Sequence, residues 1–162
     1  MISEQEYLNL MVDDREKEYI DGELVDRSLP NNTHSETLLG LITAFLRLKE
    51  RLPLHPRPEL RLRVAPGRYR ILDLAVYAGE KPTGEVPSEP PLIAVEIVSP
   101  DDRYDDLMSR LQQYHDWGVR HVWLVDPQLR RLYVFEREGL LLVPAYELAE
   151  YDASIAAEEI LS

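Results

Sequence analysis

From Leu60 to Val98 apolar residues alternate with polar ones or form short continuous runs, while on both sides of this region they return every third or fourth position. That change of period predicts strands bracketed by helices. Leu38, Leu41, Ile42 and Phe45 fall on one face of a helix that starts at the capping-box pair Thr33 and Glu36 and runs to about Glu50. Strands follow at about 60–64, 70–77 and 92–98, spaced to pair as an antiparallel meander. A second helix, capped by Asp101 or Asp102, places Leu107, Leu111 and Tyr114 on one face and stops at Gly118. HVWLVD and RLYVFER then read as strands joined by a turn at Asp126-Pro127. Weaker signals are a helix in SEQEYLNLM, a short hairpin about Asp21-Gly22 in KEYIDGELVDR, a strand from Leu140 to Val143 and a helix from Ser154 to Leu161. The 12 prolines gather mainly in two stretches, Pro53 to Pro58 and Pro82 to Pro91, which read as loops within one domain.

Length agrees with that organisation, since 162 residues suit one domain with its own core. The absence of cysteine leaves any metal to oxygen or imidazole ligands. No apolar run approaches the roughly 20 residues of a membrane span, and MISEQEYLNL lacks the basic flank and apolar centre of a signal peptide, so a cytoplasmic protein without a membrane partner is expected. With 18 basic and 30 acidic residues the net charge is -12, which argues against a general nucleic-acid binder. The charge is uneven: Arg47 to Arg70 holds eight basic and two acidic residues, net +6, so the rest carries -18. Arg61 and Arg63 alternate there with Leu60, Leu62 and Val64, as on a half-buried strand whose basic side would meet solvent or a phosphate backbone.

Two acidic residues break the apolar pattern. Glu96 sits inside the run Leu92 to Val98 with no lysine or arginine within five residues, and Asp73 interrupts RILDLAVY. A buried carboxylate costs several kcal/mol unless it is paired. Strand alternation groups Asp73 with Ile71, Ala75 and Tyr77, and Glu96 with Ala94 and Val98. On neighbouring strands the two would meet across one pair, and like charges that close call for a cation or a shared proton. A divalent metal, Mg or Mn, meets that need with hard oxygen ligands. The alternative is that both lie at strand ends and bond to backbone amides or a distant arginine.

IDGELV, His34 at a helix start, LDLAVY, VEIVSPDDR and DLMSRLQQYHDWGVRHVWLVDP occur in that order. Over about residues 6–135 the succession resembles the Uma-two family of restriction-endonuclease-like proteins, within the PD-(D/E)XK nuclease superfamily. The resemblance implies a restriction-endonuclease-like α/β core over residues 1–162, a mixed β-sheet flanked by helices in αβββαβ order. It also implies a Mg- or Mn-dependent endonuclease acting on DNA. Asp73 matches the PD aspartate and Glu96 the strand glutamate, the two metal ligands. Glu18, just ahead of the IDGEL turn, is a third candidate, and His34 matches a family histidine that would reach a phosphate or cap its helix.

Two positions depart from the pattern. Leu72 replaces the PD proline, and Val98 stands where the superfamily's usual lysine would be. The family draws that lysine from the next helix, in D-L-x-x-K-L-x-x-Y, and here the position is Arg110 of DLMSRLQQY. Arginine keeps a charge for the phosphate but cannot accept a proton, which leaves water activation to the ion. Gln113 and Tyr114 share the helix face of Arg110 and would orient water or phosphate, with Tyr114 also in phase with the core residues Leu107 and Leu111. His55, His115 and His121 have no metal-site spacing. Two further readings remain: a nuclease fold that has lost catalysis and serves as a nucleic-acid or protein binding module, and an acidic protein that engages a basic partner. A homodimer would suit cleavage of both DNA strands.

Overall fold

A computed structural model describes residues 1–10 and 17–161, so the last residue of the SEQEYLNLM helix pattern, Met11, lies outside the described residues. The spine is a long antiparallel hairpin of β3 (Leu54–Ala65) and β4 (Arg68–Ala78). Strand β3 begins at Leu54, so it runs through Pro56 and Pro58, which the sequence placed in a connector. Among the described residues β3 pairs only with β4, and prolines on its open side remove no ladder bond.

The other edge of β4 is shared. Its first residues pair with β1 (Glu18–Ile20), with Tyr19 opposite Tyr69 and Ile20 opposite Arg68. Its later residues pair with β5 (Ile93–Ile97), from Leu74 opposite Val95 to Val76 opposite Ile93. Residues 70–73 fall between the two partners. The eight-stranded sheet runs β2 (Glu23–Val25), β1, β4, β5, β6 (His121–Asp126), β7 (Arg131–Glu136), β8 (Gly139–Val143), with β3 beside β4. Among the described strands only β5 and β6 are parallel, joined by the crossover helix α3 (Tyr104–Trp117). With α2 (Asn32–Lys49) ahead of β3, the central order is the expected αβββαβ.

The two helices cover opposite faces. α2 buries Leu41, Ala44, Phe45 and Leu48 against Leu74, Val76, Ile93, Val95 and Trp123, while α3 buries Leu111 and Tyr114 against Leu62, Leu72, Ala75, Tyr77, Ala94 and Leu124. These memberships show a break in β4. Leu72 packs with Ala75 and Tyr77 under α3, whereas Leu74 and Val76 pack under α2, so the strict alternation expected through Asp73 fails there. At the same point the β3–β4 ladder skips Glu59 and Asp73, and Glu59 adopts φ +53°. Local irregularity of this kind re-aims a side chain, and Asp73 turns toward the start of α2.

Caps differ in detail from the sequence signals. Asn31, not Thr33, caps α2 by accepting the His34 amide at 2.9 Å. Asp102 leaves α3 uncapped and instead accepts the Ser99 amide and the Ser28 hydroxyl, tying two loops together. Gly118 ends α3 at φ +110°, a conformation that favours glycine. At the N-terminus α1 (Glu4–Leu8) sets Tyr7 against Tyr19 and Tyr69. Toward the C-terminus a hairpin of β9 (Ala145–Leu148) and β10 (Ala153–Ala156) leads to α4 (Ala157–Ile160). The helix expected from Ser154 is therefore half strand, since the alternating burial of Ala153 and Ile155 suits a pleat. Among the described residues no helix is long and apolar enough to cross a membrane.

Candidate active site

Past the Leu74–Val95 pair, strands β4 and β5 part. One further step of register would set Asp73 opposite Glu96, yet the Ile97 amide donates to Asp73 Oδ2 at 2.7 Å instead. On the β1 side of the gap the Ile71 amide donates to Glu18 Oε2, also at 2.7 Å. Backbone donors that a continuous ladder would have satisfied are thus taken by carboxylates. The split in the sheet and the buried acids are one feature.

Asp73 is well provided with positive partners. Arg27 Nη2 donates to its Oδ1 at 3.0 Å, and His34 Nε2 lies 3.1 Å from the same oxygen. Burial works against its charge, but the bonds from His34 and the Ile97 amide, with the charge of Arg27, hold its pKa below the usual carboxylate range. The same bond to Asp73 raises the His34 pKa in spite of burial. Glu96 is different. It accepts the neutral Tyr114 hydroxyl at 2.9 Å, and its nearest guanidinium, Arg110 Nη1, is 3.7 Å away. Burial first, then the Asp73 charge, push its pKa well above the ordinary value, and Arg110 offsets this only in part.

Glu18, fully buried, does not line the cleft but stands behind it as a buckle for two arginines. Arg110 reaches it with Nη2 at 2.9 Å and Nη1 at 3.3 Å, and Arg70 Nη1 lies at 3.3 Å. Arg70 in turn donates through Nε to Gln113 Oε1 at 2.7 Å. Of the sequence candidates, Asp73, Glu96, Arg110 and His34 all line one cleft of about 510 Å³, with Glu18 and Gln113 supporting it. Arg61 and Arg63 lie outside it, Arg61 over the Tyr7 ring at 5.2 Å and Arg63 3.5 Å from Glu4.

The cleft also contains residues that the sequence did not single out. Arg27, from the loop between β2 and α2, spans Asp73 and Glu59 Oε2, the latter at 2.9 Å. Arg70 came to notice only as part of the basic stretch. Among the described residues, donor atoms of His34, Glu59 and Asp73 lie within 4.8 Å of one another, a grouping that leaves out Glu96. The donor chemistry of Asp73 and Glu96 suits a hard divalent cation, and burial together with the nearby Asp73 charge raises the Glu96 pKa.

A family model described as "putative restriction endonuclease", Uma2, matches residues 4–162. The chain belongs to the Uma2 family. The crystal structure of a protein described as a putative nuclease belonging to DUF820, from Anabaena variabilis ATCC 29413, has the Uma2 chain's fold, with a TM-score of 0.83 over 99% of this chain and 97% of that one at 18% identity. At that identity the likeness concerns the fold. No curated protein matches the chain.

Proposed function

We propose that this Uma2 protein is a nuclease that hydrolyses DNA phosphodiester bonds with the help of a divalent ion, Mg or Mn, held by Asp73 and Glu96, residues 1–162 acting as one domain. The observation that carries the reading is the split in the sheet that sets Asp73, held by Arg27, His34 and the Ile97 amide, across a gap from Glu96, which meets the Tyr114 hydroxyl at 2.9 Å and Arg110 at 3.7 Å. A bound ion supplies Lewis acidity and eases the formation of a nucleophile from water. The protein's own residues do the rest. Asp73 is fixed in place by the Ile97 amide, His34 and Arg27, so its carboxylate is preorganised. Arg110, braced by Glu18, presents a permanent charge to the phosphate beside Glu96, and Arg70 extends that charge along the cleft. Neither arginine serves as a base. Tyr114 holds the Glu96 carboxyl in one orientation.

The test is cleavage of supercoiled plasmid and of single-stranded DNA with Mg or Mn against a chelator control. Asp73→Asn and Glu96→Gln should each lower the rate by about a hundredfold or more. Equal rates in wild type and both variants would remove the site. One observation favours a second reading, a binding module without catalysis: Arg110 stands where the family pattern has lysine. A silent wild type that gains cleavage on Arg110→Lys would make the arginine the cause.

A further inference from the structure

The Asp73 end of the cleft already holds a cation. Arg27 is only 12% exposed along its side chain, with Nη2 3.0 Å from Asp73 Oδ1 and Nη1 2.9 Å from Glu59 Oε2. Asp73 Oδ2 is engaged by the Ile97 amide, and Oδ1 is shared by Arg27 and His34. A metal that takes Asp73 through Oδ1 therefore meets two groups already in place. His34 belongs to α2, where its amide also makes the N-cap bond to Asn31. Arg27 belongs to a segment with neither helix nor strand between Val25 and Asn32. Its neighbour Ser28 is tied to Asp102 at 2.9 Å, which anchors the loop, so an exchange at Asp73 falls to the long side chain of Arg27.

We propose that Arg27 is a built-in counter-ion that competes with the metal for Asp73 and is drawn off by an incoming phosphodiester, so that metal loading and substrate binding reinforce each other. The proposal rests on the nuclease reading above. Arg27 lines the same cleft as Arg110 and Arg70, so a phosphate lying over Asp73 and Glu96 comes within reach of a swung guanidinium. The exchange is chemically favourable, because a phosphodiester offers two oxygens to the planar fork while the metal replaces the arginine's charge beside Asp73. Coupling of this kind is reciprocal: whatever factor the phosphate adds to metal affinity, the metal adds to phosphate affinity. Without substrate the protein would hold its ion weakly.

Free Mn²⁺ measured by electron paramagnetic resonance tests this on the full chain, with a thymidine dinucleotide as the phosphodiester probe. Arg27→Met, which removes the charge and keeps an apolar stem, should bind Mn²⁺ at least tenfold more tightly than wild type. The dinucleotide should tighten Mn²⁺ binding to wild type by a similar factor and leave Arg27→Met nearly unchanged. Should the methionine variant fail to fold, Arg27→Lys, a single-point cation without the fork, should give an intermediate affinity and a smaller dinucleotide effect. Mn²⁺ binding that disappears in Asp73→Asn but is no tighter in either Arg27 variant would overturn the proposal and leave the nuclease reading intact. No Mn²⁺ binding by wild type, Arg27→Met or Arg27→Lys would overturn both.

Discussion

Asp73 faces Arg27, His34 and an amide, whereas Glu96, across the same gap, faces one hydroxyl and a distant guanidinium. The two acids therefore respond oppositely to neutralisation. In metal-free protein Glu96→Gln keeps the Tyr114 bond and removes a charge that burial opposes, so it should raise stability at pH 7. The folded pKa of Glu96 lies above its ordinary value of 4.5, so the stability it contributes is complete below that pH and declines as pH rises toward the folded value. The advantage of Glu96→Gln should accordingly vanish near pH 4 and grow toward neutrality in thermal melts recorded with chelator. Asp73→Asn should instead destabilise by about 3 kcal/mol or more, because it breaks a buried, hydrogen-bonded ion pair. Arg110→Ala should lose most of the metal-dependent cleavage and also take from buried Glu18 one of its two arginines, while Arg110→Lys keeps the charge and the cleavage. Cleavage by Arg110→Ala at the wild-type rate would separate Arg110 from the chemistry.

At the scale of elements, the close seat of α2 on α4 depends on Gly40. A Cβ there would come 2.5 Å from the Ile160 carbonyl oxygen, a backbone atom that cannot rotate away. Gly40→Ala should cost about 1–3 kcal/mol in chemical denaturation, despite the better helix propensity of alanine. The helices α2 and α3 were legible from the helical period of their apolar residues, and the β5, β6 and β7 strands from short apolar runs between turn signals. The start of β3 was hidden by prolines that an open edge tolerates, and the β9–β10 hairpin by strands of four residues each, too short to establish a period. Glu96, Asp73 and Glu18 stood out as acids in or near apolar runs and through the family's motif order. Arg27 and Glu59 had no such signal. One lies in an irregular loop and the other at a skipped ladder position, and only tertiary folding brings Arg27 to a residue 46 positions away. Alternation likewise showed which side of β3 is basic but not that α1 covers Arg61 and Arg63.

For the whole molecule, that cover sets Arg61 and Arg63 apart from the cleft, which Arg70 of the same basic stretch lines. Replacing Arg61 and Arg63 with serine should lower the melting temperature, through loss of the contacts with Tyr7 and Glu4. In a cleavage-dead Asp73→Asn background it should leave DNA affinity, read by fluorescence anisotropy, within about twofold; a marked weakening with a flatter salt dependence would instead place these arginines on the phosphate backbone. The C-terminal segment has a different kind of reach. Tyr146 stacks on Trp123 at 4.0 Å, and Ile160 and Leu161 join the core that α2 covers. In a chain growing from the ribosome, α2 is complete at Lys49 while β9 begins at Ala145, about a hundred residues later. Throughout that interval the nascent chain must carry part of an apolar stripe without its final cover, a surface open to non-native association until the last segment is made.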